Sequence, residues 1–328
     1  MPLVSIVVPA YNVARTLAET LDALLAQTFT DLEVIVVNDG STDETLSIAE
    51  GYAADPRMRI ITQRNRGLAG ARNTGIAAAK GAYIGFCDSD DIWEAWKLDA
   101  HVQHLNSAPQ VGVSYAGSSL INDDGGFLSR SQEPRLCNVD AAHILKRNPV
   151  GNGSAPVIRK EVFEAIAYTP EFETERPWYF DENFRQSEDI ECWMRIALTT
   201  DWMFEGVEGL LTRYRINSNG LSSATDRQLA AWETMVRKLT PLAPDFFAQN
   251  AHVARAYQLR YLARRAVSDR KGTHALELFR AACAQSCRMW IEEPAKTVTT
   301  FVAAVALHLG GGTAALILHN KIPGDPQP

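Results

Sequence analysis

The chain has 328 residues, of which 46% are hydrophobic and 22% are charged, proportions typical of a globular protein. Its length suits one catalytic domain with an extension rather than two large domains. The formal net charge of −7 argues against nucleic-acid binding, because that function needs a basic face. The N-terminus runs directly into an apolar segment, so we expect no signal peptide and a cytoplasmic protein.

The first fifty residues alternate between two apolar runs and two helical patterns. Residues 3–8 and 32–37 are continuous and rich in β-branched side chains, which is typical of strands buried on both faces of a parallel sheet. Residues 14–28 carry leucines at helical spacing and predict an amphipathic helix that covers this sheet. Ser41 and Glu44 have the spacing of a capping box, which predicts the start of the next helix.

The same alternation continues to residue 86. Residues 58–62 predict a third strand, residues 69–80 a third helix that ends at Gly81, and residues 83–86 a further short strand. Strands and helices that alternate through short loops indicate an α/β fold with a doubly wound, Rossmann-like layer. Ligands of such layers bind at the carboxyl ends of the strands.

Polar clusters follow three of the predicted strands, at residues 9–12, 38–43 and 88–91. We expect them to converge on one crevice, because the carboxyl ends of parallel strands share one edge of the sheet. A dinucleotide-binding domain would need a Gly-x-Gly-x-x-Gly turn after the first strand, and residues 9–12 contain no glycine. A Walker loop is also missing, since the glycine-rich residues 67–70 are not followed by Gly-Lys-Ser/Thr.

The third cluster places Asp88, Asp90 and Asp91 directly after an apolar run. Three carboxylates at a strand end cost folding energy unless a cation or a partner offsets their charge. Hard cations such as Mg²⁺ and Mn²⁺ take such oxygen ligands and share the remaining positions with water and phosphates. The cluster therefore predicts a metal site of the Asp-x-Asp type. The alternative is an acidic turn that caps the following helix.

Five segments with a characteristic order and spacing carry a family resemblance. They are Val4-Ser-Ile-Val-Val-Pro-Ala-Tyr-Asn12, Val36-Val-Asn-Asp-Gly-Ser-Thr-Asp43, Asn65-Arg-Gly-Leu-Ala-Gly-Ala-Arg-Asn73, Cys87-Asp-Ser-Asp-Asp-Ile-Trp93 and Ser187-Glu-Asp-Ile-Glu-Cys-Trp-Met-Arg195. Together they resemble the family 2 glycosyltransferases over residues 3–220. The resemblance implies a GT-A fold with a mixed, mostly parallel sheet flanked by helices. It also implies a nucleotide-diphosphate-sugar donor, Mn²⁺ or Mg²⁺, and inversion at the anomeric carbon.

The resemblance also assigns site residues. The donor or nucleotide site would comprise Pro9, Ala10, Tyr11, Asn12, Asp39, Arg72, Asp88, Ser89 and Arg215. The metal would be held by Asp90, Asp88 and Asn217. Tyr11 offers a flat face on which the base can stack, and Asp39 can accept from the uracil or ribose edge. For Asp39 the alternative is a turn-forming residue, and for Arg72 an exposed charge on an alanine-rich helix.

The reaction needs a base, because the acceptor hydroxyl loses its proton as it attacks the anomeric carbon. We predict Asp189 as this base and Glu188 as a residue that orients the site or contacts the acceptor. The resemblance implies that this pair stands at the start of a helix, and the apolar positions that follow it form a stripe at helical spacing, as such a helix requires. The alternative is that both acids occupy the first helical turn for its favourable dipole alone.

One position departs from the family pattern. The family often carries Arg-x-His after a late strand, and here the corresponding residues are Arg215, Ile216 and Asn217. An amide oxygen binds Mn²⁺ less well than an imidazole does and suits Mg²⁺ comparatively better. Arg213 and Arg215 are available to offset the negative charge of the leaving diphosphate.

We predict a catalytic domain over residues 1–222, with a nucleotide-binding half at 1–115 and an acceptor-binding half at 116–222. Residues 223–328 would form an all-helical extension. Within this extension, residues 251–267 and 273–290 have the pattern of an antiparallel helical hairpin. Residues 297–318 lack Asp, Glu, Lys and Arg, but glycines and threonines favour a membrane-surface or bundle-packing role over a membrane span.

These features favour an inverting glycosyltransferase that moves a sugar, with UDP as the expected nucleotide, to a glycan or lipid-linked acceptor in the synthesis of a surface polysaccharide. A nucleotidyltransferase would need a glycine-rich N-terminal loop with a basic residue, which residues 9–12 do not provide. A non-catalytic binder of sugar nucleotides is the remaining alternative, and Asp90 and Asp189 count against it. The expected additional partners are a membrane surface or a protein that contacts the C-terminal helices.

Overall fold

The computed structural model describes residues 1–216 and 225–310, and these residues form two compact units. The first unit consists of residues 1–141 and 149–216 and contains a large sheet. The second unit consists of residues 142–148 and 225–310 and is helical.

The described residues contain these strands: β1 (Val4–Ala10), β2 (Leu32–Asn38), β3 (Met58–Thr62), β4 (Tyr83–Phe86), β5 (Ile92–Trp93), β6 (Val111–Ile121), β7 (Phe127–Gln132), β8 (Val157–Arg159) and β9 (Met203–Arg215). They contain these helices: α1 (Leu17–Leu25), α2 (Thr45–Gly51), α3 (Gly67–Ala78), α4 (Lys97–Ser107), α5 (Ala141–Lys146), α6 (Lys160–Ile166), α7 (Glu188–Thr199), α8 (Thr225–Leu239), α9 (Pro244–Ser268), α10 (Gly272–Gln285), α11 (Arg288–Glu292) and α12 (Pro294–His308).

The strands form one mixed sheet in the order β3-β2-β1-β4-β8-β6-β9-β5, and β7 pairs with β6 outside this path. The neighbours from β3 to β4 are all parallel, so their carboxyl ends lie at one edge. Strand β8 joins β4 and β6 in antiparallel pairs, whereas β6 and β9 are parallel. The predicted mixed α/β sheet with flanking helices is confirmed, and parallel pairing dominates its N-terminal half.

The predicted strands and first helix match the observed ones because their burial follows the sequence pattern. Every residue of β1 and β2 is buried, as expected for strands covered on both faces. In α1, Leu17, Leu21 and Leu24 are buried against this layer. Burying a leucine side chain contributes about 1.5–3 kcal/mol, so this stripe fixes the helix on the sheet.

Two predicted helix ends are wrong. Helix α2 has Glu44 rather than Ser41 at its N-cap position, and the side chain of Asp43 accepts the Thr45 N–H at 3.0 Å instead. Helix α3 ends at Ala78, so Gly81 is not its terminating glycine. A Cβ atom at Gly81 would lie 2.6 Å from the backbone nitrogen of Ser5, and this close approach to β1 explains the glycine.

In the helical unit, α9 and α10 form the predicted antiparallel hairpin. Tyr257 of α9 packs near Phe279, whereas Val267 at the end of α9 packs near Ala275 at the start of α10. The sequence pattern predicts a single helix over 273–290, but α10 ends at Gln285, because Ser286 has an extended backbone that cannot continue the helix.

No helix within residues 1–216 and 225–310 is long and apolar enough to cross a membrane. Of the candidate segment 297–318, the part up to His308 belongs to α12, and residues 311–318 lie outside the described residues.

Candidate active site

The loops that follow β1 and β2 are tied together at the carboxyl edge of the sheet. The Asp39 N–H donates to the Ala10 carbonyl at 2.8 Å, and Pro9 and Ala10 themselves are buried in β1. The Asn12 N–H donates to Ser41 Oγ at 3.1 Å, while Asn12 Oδ1 accepts the Thr42 N–H at 2.8 Å. These bonds hold Asn12 in a left-handed conformation with φ 52°.

Tyr11 lies in the same turn, and half of its surface is exposed. An exposed aromatic ring at the carboxyl edge of a parallel sheet is accessible to a planar ligand. The structure therefore permits the stacking that the sequence predicts for this residue.

Asp39 is buried and its carboxylate is shared among several donors. It accepts hydrogen bonds from Gln63 Nε2 at 2.6 Å, the Arg66 N–H at 2.8 Å and the Gly67 N–H at 2.8 Å. It thus fixes the turn that leads into α3. The side chain of Asn38 also closes the turn after β2, since its Oδ1 accepts the Ser41 N–H at 3.1 Å. The contact of Asp39 with a base or ribose stays a prediction.

The aspartates after β4 differ in exposure. Asp88 and Asp90 are partly exposed, whereas Asp91 is fully buried. Asp91 accepts hydrogen bonds from Ser154 Oγ at 2.5 Å and from the Arg215 N–H at 2.9 Å. Burial, together with the neighbouring Asp90 and Asp88, raises its pKa well above the usual range. The buried carboxylate of Asp91 therefore links the aspartate cluster to Ser154 and to β9. It does not cap a helix, because β5 follows it directly.

Ser89, the remaining residue of this cluster, is also buried. Its carbonyl accepts a hydrogen bond from Thr16 Oγ1 at 2.9 Å, just before α1. The backbone of the cluster is thereby connected to the helix that covers β1. A direct role of Ser89 in donor binding stays a prediction.

Arg72 connects the aspartate cluster to the start of α7. Its guanidinium donates to Asp88 Oδ1 at 2.9 Å and to Glu188 Oε1 at 2.8 Å, and it packs against the rings of Phe86 and Phe180. The side chain is buried, so the expectation of an exposed charge is wrong. Burial alone would lower its pKa, but the carboxylates around it outweigh this effect and raise the pKa above the usual range.

Glu188 and Asp189 begin α7, directly after Ser187 with φ 59°. Glu188 is buried, and burial raises its pKa to about 7 although Arg72 opposes the shift. Asp189 is partly exposed and close enough to Arg72 to affect its pKa. The structure thus brings together Asp88, Arg72, Glu188 and Asp189, which come from three distant parts of the sequence.

The guanidinium of Arg215 is buried within the protein. It donates to the Asp90 carbonyl at 2.8 Å, to the Asn122 and Asp123 carbonyls at 3.0 Å each, and to Glu19 Oε2 at 2.7 Å. These contacts hold the backbone of the aspartate cluster, and the predicted contact with a diphosphate stays a prediction. The predicted metal ligand Asn217 lies outside the described residues.

Sequence reasoning missed a loop at residues 151–154, which packs against the aspartate cluster. Ser154 bonds to both Asp88 and Asp91, and a Cβ atom at Gly153 would lie 2.2 Å from Arg72 Nη2. The sequence indicates this loop only through residues 151–154, Gly-Asn-Gly-Ser. Two glycines beside small polar residues are typical of a turn or of a close approach of the backbone to another group.

Lys97 is a second buried group that was missed. Its ammonium donates to the Ala155 carbonyl at 2.7 Å and to Thr212 Oγ1 at 3.1 Å, and it lies 4.8 Å from the centre of the Trp93 ring. Burial lowers its pKa to about 7. Lys97 therefore connects the segment after residue 154 to β9 behind the aspartates.

Within residues 1–216 and 225–310, no group of three or more His, Cys, Asp or Glu side chains could hold a metal ion by itself. Asp88 and Asp90 offer carboxylates at the open edge of the sheet. Mg²⁺ typically takes one or two carboxylates and completes its shell with water and substrate phosphates. These residues therefore fit a cation that is shared with a diphosphate rather than a closed protein site.

The sequence model described as Glycosyl transferase family 2 matches residues 5–167. The chain belongs to this family. It is 58% identical to the uncharacterized glycosyltransferase EpsJ of Bacillus subtilis over an alignment of 92 residues, which covers 28% of this chain and 27% of that protein. It is 39% identical to the chondroitin synthase of Escherichia coli over an alignment of 130 residues, which covers 39% of this chain and 19% of that protein. The matches thus span less than a third of these relatives.

Two solved structures share the fold of this protein. The 1–349 fragment of Staphylococcus aureus TarS in complex with UDP-GlcNAc aligns with a TM-score of 0.60 and 19% identity, over 94% of this chain and 92% of that one. The Pyrobaculum calidifontis mannosyltransferase PcManGT in complex with GDP-Man and Mn²⁺ aligns with a TM-score of 0.57 and 19% identity, over 97% and 86%. The predicted glycosyltransferase class and GT-A type fold are confirmed.

Proposed function

We propose that this glycosyltransferase moves a sugar from a UDP-sugar to a hydroxyl group of a glycan or lipid-linked acceptor, with inversion at the anomeric carbon. One observation carries this proposal. Arg72 joins Asp88, at the end of β4, to Glu188, which is followed directly by Asp189. Asp88, which we expect near the diphosphate, and the pair Glu188 and Asp189, which we expect near the acceptor, therefore lie on either side of the buried Arg72.

The residues of the site have three tasks in this proposal. Asp88 and Asp90 hold a divalent cation, and Tyr11 and Asp39 bind the nucleoside. The cation, when bound, offsets the negative charge of the diphosphate. Asp189 accepts the proton of the acceptor hydroxyl as its oxygen bonds to the anomeric carbon. The bond from that carbon to the diphosphate breaks on the opposite side, which inverts the configuration.

The two acids of α7 are suited to different roles. Glu188 is buried and bonded to Arg72, so its carboxylate has little freedom to approach a substrate. Asp189 is partly exposed at the same helix start. A general base must reach the proton that it removes, which favours Asp189 as the base and Glu188 as the residue that holds Arg72.

Support for the substrate classes comes from the similar proteins. The TarS fragment was crystallised with UDP-GlcNAc and PcManGT with GDP-Man and Mn²⁺, so a nucleotide sugar and a divalent cation are the expected ligands. The carboxylates of Asp88 and Asp90 suit Mg²⁺ as well as Mn²⁺. The match to a chondroitin synthase favours polysaccharide synthesis. We assign catalysis to residues 1–222 and an accessory role to residues 223–328, as a contact for the acceptor or its carrier.

Isothermal calorimetry of UDP and UDP-sugars with Mn²⁺, with Mg²⁺ and with EDTA tests this proposal. Asp90→Asn should abolish the gain in affinity that the cation gives to the wild type, while the far-UV circular dichroism spectrum is retained. Asp124→Asn is the matched control, because Asp124 is exposed on the loop before β7 and pairs with Arg15. If UDP binds Asp90→Asn with unchanged affinity in Mn²⁺, the metal assignment is wrong. If the wild type binds no nucleotide, the proposed function is wrong.

A further inference from the structure

The hydroxyl group of Ser154 joins both ends of the aspartate cluster. It donates to Asp91 Oδ2 at 2.5 Å and accepts the Asp88 N–H at 2.8 Å. The Ser154 carbonyl also accepts a hydrogen bond from Trp93 Nε1 at 2.9 Å. Ser154 is fully buried, so water does not compete for these bonds. One serine thus fixes the backbone on which Asp88 and Asp90 are carried.

The loop that presents Ser154 is anchored to β6 and β7. Asn152 Nδ2 donates to Ser118 Oγ at 2.8 Å and to Gln132 Oε1 at 2.8 Å. Asn152 Oδ1 in turn accepts the Ser154 N–H at 3.1 Å. Both serines and Asn152 are buried, so the position of the Ser154 hydroxyl is set by the second half of the sheet.

Gly153 shows how closely this loop approaches the charged groups. A Cβ atom at this position would lie 2.2 Å from Arg72 Nη2 and 2.8 Å from Asp88 Oδ2. The ion pair between Arg72 and Asp88 therefore packs directly on the loop backbone. Any side chain at residue 153 would displace one partner of that pair.

We infer that Ser154 is a positioning residue that orients Asp88 and Asp90 for the cation and diphosphate of the donor. This inference rests on the proposed function. Removing the hydroxyl leaves the Asp88 N–H without its acceptor and the buried Asp91 carboxylate without one of its donors. The strand-end backbone then relaxes, and displacements of about 1 Å in such sites reduce function by about 10²-fold.

The test compares UDP affinity in Mg²⁺ and in EDTA for the wild type and two variants. Ser154→Ala should reduce the gain in affinity from Mg²⁺ by at least about tenfold and leave the affinity in EDTA within about twofold, because only cation binding depends on the orientation of Asp88 and Asp90. Ser118→Ala is the matched control. It also removes a buried hydroxyl from the hydrogen-bond network of the loop, yet it contacts Asn152 and no aspartate of the cluster. It should retain the gain from Mg²⁺.

A full Mg²⁺ gain in Ser154→Ala overturns the inference. So does an equal loss of this gain in both variants, since a general loosening of the loop would then explain it. Ser154→Cys provides a second measurement if Ser154→Ala does not fold, because a thiol fills the site but forms only weak hydrogen bonds, and its unchanged Mg²⁺ gain would also overturn the inference. A wild type that binds UDP without any gain from Mg²⁺ refutes the metal part of the proposed function and the inference with it.

Discussion

Replacing Arg72 with methionine should destabilise the protein far more than the loss of an ordinary ion pair. The side chains of Arg72 and Glu188 are only 3% and 9% exposed, and Asp88 is 24% exposed. Methionine fills most of the space but leaves two carboxylates without their shared counter-charge. Removing one partner of a buried ion pair costs about 3–5 kcal/mol, which corresponds to a decrease in Tm of about 6–20 °C for a domain of this size.

The loss should depend on pH because Glu188 titrates. Burial already raises the pKa of Glu188 to about 7, and the loss of Arg72 removes the group that opposes this shift. A carboxyl group whose pKa is higher in the folded state binds its proton more tightly there, so stability falls as the pH rises from the unfolded pKa to the folded one. Urea unfolding of Arg72→Met should therefore show a larger loss at pH 8 than at pH 5.5.

Two further variants make this experiment decisive. Arg72→Met combined with Glu188→Gln should recover about 1–3 kcal/mol of the loss, because the buried charge disappears with its partner. Arg213→Met is the matched control. Its pair with Glu94 has side chains 37% and 14% exposed, and breaking such a partly solvated pair should cost about 1 kcal/mol or less. A loss of stability in Arg72→Met no larger than that in Arg213→Met would refute the role of a buried ion pair. Simple additivity of Arg72→Met and Glu188→Gln in the double variant would refute it too.

Three other predictions concern catalysis, metal choice and packing. Asp189→Asn should reduce transfer by about 10²-fold to 10⁴-fold at saturating donor while donor affinity, measured by calorimetry, stays within a small factor; near-normal turnover would mean that the base lies elsewhere. Asn217→His should shift the Mn²⁺ activation curve to lower concentrations without changing the sugar that is used, and no shift would mean that Asn217 is not a ligand. Gly81→Ala should lower the stability to urea by about 1–3 kcal/mol because its Cβ atom would meet the backbone of β1, whereas Gly51→Ala, with open space around it, should change stability little.

The periodicity of the N-terminal sequence was sufficient to predict its strands and the position of its loops. Continuous β-branched runs and leucines at helical spacing report burial on one or two faces, and that burial is what the structure shows for β1, β2 and α1. The expected edge for ligands follows from parallel pairing alone. Local hydrogen bonds were harder to predict, because Asp43 and Ser41 compete for the same turn and only one of them bonds the start of α2.

Long-range contacts explain what the sequence did not reveal. Arg72 lies on an alanine-rich helix that appears solvent-exposed in sequence, but its small neighbours instead allow other segments to pack closely around it. Ser154 acquires its role from Asp88 and Asp91, more than 60 residues before it in the chain. No local pattern encodes such a contact. The family match, which ends at residue 167, also stops before α7 and β9, which complete the site.

The pairing of β6 with β9 has a consequence for the order in which the protein folds. The four N-terminal strands pair through short crossovers, whereas the partners of Asp91 lie 63 and 124 residues further along the chain. Contacts between residues so distant in sequence form slowly, since the chain between them must be ordered first. During synthesis, the four parallel strands therefore emerge before the donors to the Asp91 carboxylate, which are Ser154 and Arg215. Strand β4 is an unpaired edge until β8 joins it. The aspartate cluster reaches its final geometry only when β9 joins the sheet, because Arg215 bonds to both Asp90 and Asp91. The arrival of β9 therefore determines when a newly made chain first has the candidate site in its folded form.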